Sequence, residues 1–202
     1  MIKPLILDIN SGNILSLKNI ILKFSKEVSI SSEDSNIMNA THIFLPGVGS
    51  YNQVMKNIKN RVNINLLKKR LLENKTFFLG ICVGMQVLSD IGNENDNTAG
   101  LSLIPGSVNK METSEVLPHV GWNSINFNNN IKLLNQIPNK SDFYFTHSYS
   151  YNLKDKSYEV SHTNYGVSFP SIINKLNIYG TQFHPEKSQS SGIKLIKNFL
   201  EL

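Results

Sequence analysis

Cys82 is the only cysteine in a chain of 202 residues, and it stands in the pentad Gly80-Ile81-Cys82-Val83-Gly84. An apolar run, Thr76 to Leu79, precedes the pentad, and a helix-like segment, Val83 to Ser89, follows it. That order is the pattern of a nucleophile on a strand-to-helix elbow, where flanking glycines allow a sharp turn that lifts the central side chain above the sheet. A helix beginning at Val83 would aim free N–H groups and a positive dipole end at the sulfur, favouring the thiolate.

A cysteine nucleophile needs a base, and the base needs an orienting partner. Both occur about a hundred residues downstream, in Tyr179-Gly180-Thr181-Gln182-Phe183-His184-Pro185-Glu186-Lys187-Ser188. His184 follows an apolar strand and so falls at a sheet edge, where loops build sites. Pro185 keeps His184 out of helical geometry, and residues i and i+2 of an extended chain point to one side, so Glu186 can reach the imidazole. Cys82, His184 and Glu186 then make a nucleophile, base and orienter for acyl transfer.

Such chemistry also requires donors for a developing oxyanion. The Val83 N–H is one. Pro46-Gly47-Val48-Gly49-Ser50 is expected to supply another from Gly47, Val48 or Gly49, because its glycines let a backbone N–H turn toward a ligand. No Gly-Lys-Ser/Thr follows, which separates this segment from a phosphate loop.

The elements that must hold these groups follow from hydrophobic periodicity. Strands are expected at Leu5 to Ile9, Glu27 to Ile30, Thr41 to Leu45 and Thr76 to Leu79, with helices at Asn13 to Phe24 and Gln53 to Leu72. The alternation predicts an α/β fold: an open, mixed, mainly parallel sheet flanked by helices. Shorter β-like runs follow at Asn123 to Phe127, Phe143 to Phe145, Ser157 to Ser161 and Asn177 to Phe183, then a helix near Gly192 to Leu200. Pro105-Gly106 marks a turn, and Asn93 to Asn97 and Asn128 to Asn130 read as loop tips. With no repeat or linker, residues 1–202 are expected to form one domain.

The formal charge of +5 is spread rather than striped, with short basic groups at Lys68-Lys69-Arg70 and around Lys187, Lys194 and Lys197, so nucleic acid is not expected as a partner. Asp8 interrupts any signal-peptide core, and no apolar run approaches the ~20 residues of a membrane span, so a cytoplasmic protein is expected. His42 and His162 lack acidic or Cys partners at ligand spacing, so neither zinc nor any other metal is expected.

Five motifs together resemble the class I, or triad, glutamine amidotransferases, whose fold is flavodoxin-like. They are PGVGS at Pro46 to Ser50, GICVGMQ at Gly80 to Gln86, PHVGWN at Pro118 to Asn123, FTHSY at Phe145 to Tyr149 and QFHPEKS at Gln182 to Ser188. Within that family the likeness is greatest to the glutaminase subunits of imidazole glycerol phosphate synthases, and it runs from Asp8 and Ser11-Gly12-Asn13 to the last helix. The resemblance implies that Cys82 attacks the side-chain amide of glutamine, His184 protonates the departing ammonia, and water releases glutamate from the thioester. It implies that Gln86, Ser148 and Tyr149 hold glutamine, without any cofactor. It further implies a heterodimer with a (β/α)8 barrel cyclase that receives ammonia through its core for histidine biosynthesis, with His119, Trp122, Asn123 and Lys187 at the shared face. The PGVG loop is expected to hold its donor poorly until that partner is loaded.

Three other readings fit parts of the pattern. A paralogous glutaminase supplying ammonia for amidino-sugar formation in surface polysaccharides shares every catalytic motif. A non-catalytic regulatory module has no chemical need for an intact Cys82, His184 and Glu186. A cysteine peptidase does not account for PGVGS, Gln86 and Ser148-Tyr149.

Overall fold

A computed structural model describes residues 2–73, 76–128 and 131–202. Of the loop tip expected at Asn128 to Asn130, Asn129 and Asn130 lie outside the described residues. The chain opens with β1 (Pro4–Leu7), α1 (Ile14–Ile21), β2 (Ser29–Ser31), α2 (Asp34–Asn39) and β3 (His42–Gly47). Next come α3 (Tyr51–Arg61), α4 (Ile64–Leu72), β4 (Phe77–Cys82) and α5 (Val83–Gln86). Short strands β5 (Ile91–Gly92) and β6 (Thr98–Ala99) precede β7 (Gly106–Lys110), β8 (His119–Ser124), β9 (Asp142–His147) and β10 (Tyr149–Leu153). The chain closes with β11 (Glu159–Tyr165), β12 (Val167–Lys175), β13 (Ile178–Thr181) and α6 (Gln189–Leu200).

The main sheet has the order β11-β12-β13-β4-β3-β1-β2. The run from β13 to β2 is parallel, and β12 and β11 extend it antiparallel. This is the mixed, mostly parallel sheet flanked by helices that the alternation of apolar runs predicts. Strands β1, β3 and β4 are buried almost throughout, as their continuous apolar sequences require. The strand order reverses between β1 and β3, and the C-terminal ends beside such a reversal form a crevice. Strands β3, β4 and β13 run into that crevice in parallel register, Gly47 opposite Cys82 and Thr181 opposite Ile81. A second sheet, β10-β7-β5-β6, and the ribbon β8-β9 complete the fold.

Several elements differ from expectation. The segment Gln53 to Leu72 is two helices, broken where Asn63 turns extended and its side chain caps α4 by accepting from the Leu66 N–H. Helix α2 escapes a periodicity reading because it is one and a half turns long with only Ile37 buried. Strands β5, β6, β10 and β12 fall outside the expected runs, β8 starts at His119 rather than Asn123 and ends at Ser124 rather than Phe127, and residues Lys156–Tyr158 form a 3-10 turn that takes the start of the run expected at Ser157 to Ser161. The tip at Asn93 to Asn97 does lie in the turn between β5 and β6. No helix among the described residues is long and apolar enough to cross a membrane.

Candidate active site

Cys82 is the last residue of β4, at φ 55° and ψ −113°, a conformation that non-glycine residues rarely adopt. The elbow is therefore carried by the cysteine itself, and the flanking glycines serve packing. Neither Gly80 nor Gly84 has positive φ. A Cβ on Gly80 would lie 2.3 Å from the Gly84 carbonyl oxygen, and one on Gly84 would lie 1.9 Å from that of Leu45. Only backbone without side chains can fold back this closely onto β3 and β4. Helix α5 is a single turn of four residues rather than the seven expected. Its macrodipole is correspondingly small, and local donors must do more at the sulfur.

His184 follows β13, and its backbone is pinned to β9: the His184 N–H donates to the Tyr144 carbonyl at 2.9 Å. Ser188 Oγ donates to the His184 carbonyl at 2.6 Å and accepts the Tyr144 N–H at 3.0 Å. His184 Nδ1 lies 2.8 Å from Glu186 Oε1, with both side chains only 1% exposed. A carboxylate can only accept, so Nδ1 carries the proton and Nε2 is left for the sulfur. Among the described residues Nε2 makes no hydrogen bond. Burial disfavours the imidazolium, but the Cys82 sulfur and then the Glu186 carboxylate outweigh it and push the His184 pKa up to about 10.

Cys82 and His184 open on one cavity of about 270 Å³ that is also lined by Val48, Gly49, Val83, Gln86, Glu94, Pro118 and residues 146–149. The expected glutamine-binding residues Gln86, Ser148 and Tyr149 are thus brought to the nucleophile. Of the expected oxyanion segment, Val48, Gly49 and Val83 reach the wall, whereas Gly47 lies behind it, where a Cβ would sit 2.6 Å from the Gly84 nitrogen. The Val48 N–H is turned away, donating to Ser11 Oγ at 2.9 Å, and the Ser11 hydroxyl donates back to the Val48 carbonyl at 2.7 Å. Gly49 has φ +97° with open space around its Cβ direction, a conformation that glycine adopts without strain.

The PHVGWN residues divide by strand alternation. Val120 and Trp122 are 56% and 48% exposed on β8, and Trp122 packs edge-on to Tyr144, whose ring lies 5.5 Å from Lys187 Nζ. Trp122 and Lys187 therefore share a surface. His119, expected beside them, is instead 3% exposed and stacked on Phe145 and Tyr165. Asn123 turns inward, donating to His119 Nε2 at 3.3 Å and to the Asn164 carbonyl at 3.0 Å. With His119 Nε2 accepting, His119 Nδ1–H donates to His147 Nε2 at 3.2 Å, and His147 Nδ1–H donates to the Tyr149 carbonyl at 2.8 Å. Burial pushes His147 down to about 3, which keeps its ring neutral in that chain.

Sequence reasoning assigned no role in the site to Glu94, Ser11 or Ser188. Glu94 lies in the loop between β5 and β6, where it lines the cavity and its Oε2 accepts the Tyr51 N–H at the start of α3, at 2.7 Å. Its one signal was a carboxylate among asparagines. Among the described residues no group of three or more His, Cys, Asp or Glu could hold a metal ion.

Comparison with known proteins adds to this geometry. The family model described as glutamine amidotransferase class-I matches residues 5–202. The chain is 42% identical over 200 residues to imidazole glycerol phosphate synthase subunit HisH 1 of Methanococcus maripaludis, covering 98% of each chain. It is 40% identical over 197 residues to the HisH subunit of Methanocaldococcus jannaschii, again covering 98% of each. Among solved structures, PurLQS from Thermotoga maritima is similar with a TM-score of 0.73 at 16% identity, over 99% of this chain and 98% of that one. A glutamine amidotransferase from Thermotoga maritima gives 0.67, also at 16% identity, over 99% of this chain and 83% of that one.

Proposed function

Because the chain belongs to the class-I glutamine amidotransferases, we propose that it is the glutaminase subunit of an imidazole glycerol phosphate synthase. The observation that carries this reading is the convergence of Cys82, His184 and the glutamine-binding residues on one small cavity. Its size suits a single amino acid. Glu94 offers an anionic wall for an α-ammonium group, and the Gln86, Ser148 and Tyr149 segment offers polar groups beside it.

In this reading Cys82 attacks the glutamine carboxamide carbon and the carbonyl oxygen takes the negative charge. His184, held by Glu186, gives its proton to the departing nitrogen as the C–N bond breaks, releasing ammonia and leaving a γ-glutamyl thioester. A water then attacks the thioester, His184 takes its proton, and glutamate leaves as the thiol is restored. Val83 and a reoriented Val48 supply the oxyanion donors. In the resting arrangement Val48 is committed to Ser11, which suits a glutaminase that is quiet until its partner is engaged.

Ammonia is protonated and diluted in water, so it is passed on directly. The receiving partner is a (β/α)8 barrel cyclase in a cytoplasmic heterodimer, docked over Trp122, Val120 and Lys187, where exposed apolar surface meets a cation. The barrel uses the ammonia to split a phosphoribulosyl formimino aminoimidazole carboxamide ribonucleotide into imidazole glycerol phosphate and an aminoimidazole carboxamide ribonucleotide. The test is glutamate release by the chain paired with a histidine-pathway cyclase, with and without the barrel's ligand. Stimulation that disappears in Cys82→Ala is expected. Stimulation only by the barrel partner of an amidino-sugar pathway would overturn the assignment.

A further inference from the structure

The structure assigns Gln182 a catalytic role: we propose that its side-chain amide donates to the Cys82 sulfur, with the direction of that bond set from the Tyr149 carbonyl through Gln86. The inference rests on Cys82 being the nucleophile, but not on glutamine as substrate or on the barrel as partner.

The geometry begins in the extended segment that carries His184. Phe183 points into the core and stacks on Phe143 with ring centroids 4.1 Å apart. Alternation sends its two neighbours the other way, so Gln182 and His184 face the nucleophile together. Gln182 is fully buried, and its backbone N–H is anchored on the Ser171 carbonyl at 2.9 Å. Its Nε2 lies 3.8 Å from Cys82 Sγ.

The orientation of a side-chain amide follows from its partners. The Tyr149 carbonyl can only accept, and Gln86 Nε2 lies 3.0 Å from it, so that end of Gln86 is the donor. The second hydrogen of the same nitrogen meets Gln182 at 3.1 Å, so the Gln182 atom there must be the acceptor, Oε1. Its other end, Nε2, is thereby turned to the sulfur. A carbonyl on β10 thus imposes a donor at the nucleophile through two amides, each locked by the one before it.

That donor matters because the sulfur otherwise faces the wrong dipole. The Cys82 thiol donates to the Thr146 carbonyl, 3.9 Å from Sγ, and once the proton is lost that carbonyl repels the thiolate. With α5 only one turn long, the Gln182 N–H is a near, correctly signed compensation for the charged sulfur.

The chain's single cysteine makes the test direct, because alkylation by iodoacetamide reports Cys82 alone. The full chain is compared with Gln182→Met, which keeps the volume and removes the donor, across a pH series. At pH 7 the second-order rate is expected to fall about tenfold, as for loss of a hydrogen bond to a charged group, while the plateau at high pH is retained. Gln182→Leu, also apolar and of similar volume, is the second variant if Gln182→Met does not fold, and it is expected to slow alkylation to the same extent. The ionisable groups that line the cavity with Cys82, which are His184 with Glu186 behind it, His147, Glu94 and Tyr149, stay in place in both. A folded variant of either kind that alkylates within twofold of the parent at pH 7 would overturn the assignment, whatever the outcome with glutamine and the barrel.

Discussion

Replacing Ser11 with alanine should convert the resting glutaminase into a more active one. The Ser11 hydroxyl holds Val48 on both sides, accepting its N–H at 2.9 Å and donating to its carbonyl at 2.7 Å. Turning the Val48 N–H toward an oxyanion breaks the first of these outright and strains the second through the adjoining peptide. Each such bond is worth about 0.5–1.5 kcal/mol net, so losing the first and weakening the second gives a bias from about 0.5 up to about 3 kcal/mol. At 1.4 kcal/mol per factor of ten, Ser11→Ala should raise the population of the competent loop between about twofold and a hundredfold. Gly49, with open space around it, can absorb the change in backbone. The assay is glutamate release by the chain alone, in parallel with the chain paired with the proposed barrel cyclase and that barrel's ligand. Basal turnover should rise within that range, and the stimulation factor should shrink to match, since in the proposed mechanism the engaged state gives up the Ser11 contact. Unchanged or lower basal turnover from a folded Ser11→Ala protein would refute the reasoning.

Other perturbations test the supports of the site. Glu186→Gln preserves shape but removes the charge behind His184, and turnover of the loaded complex should fall about 10–100-fold with little change in KM, as steady-state kinetics would show. His42 is buried between Phe77 and Phe199, and burial pushes its pKa down to about 4, so it stays neutral in the folded chain. The unfolded chain binds the proton first, so the stability present above pH 6.5 is lost as pH falls toward 4, by up to about 1.4 kcal/mol per unit. Between pH 6.5 and 5, His42→Phe should lose about 1–2 kcal/mol less than the parent in urea titrations. Gly84→Ala places a Cβ 1.9 Å from the Leu45 carbonyl and should cost about 3 kcal/mol in the same measurement, a loss that a merely conformational glycine would not show.

The geometry of the candidate site was partly legible in the sequence because its residues lie at strand ends. Continuous apolar runs locate β3 and β4, and Cys82 and Gly47 follow from where those runs stop. The pairing of His184 with Glu186 also survives folding as a hydrogen bond, but not along an extended chain: Pro185 opens a 3-10 turn over Pro185–Lys187, and only His184 before it stays extended. What escaped was set by contacts distant in sequence. Glu94 joins the cavity only because the β5–β6 loop folds over the start of α3. Gln182 acquires its direction from Tyr149, and nothing local marks which end of an amide faces a thiol. His119 and Trp122 sit three residues apart, on opposite faces of β8, and alternation would have separated them had the strand been placed from His119 rather than Asn123. The glycines around Cys82 signalled the elbow for a different reason than the one operating, since they permit close backbone packing while the cysteine bears the unusual dihedral angles.

Those dihedral angles set activity against robustness. A side chain at φ 55° and ψ −113° costs on the order of 1–3 kcal/mol, which glycine would not incur. In most positions alanine is the more stabilising choice over glycine by about 0.5–1 kcal/mol, but at residue 82 the order should invert, with Cys82→Gly outlasting Cys82→Ala in thermal denaturation. Selection of this chain for heat resistance alone would therefore be drawn toward losing its nucleophile, and libraries built to harden it need a turnover screen run alongside.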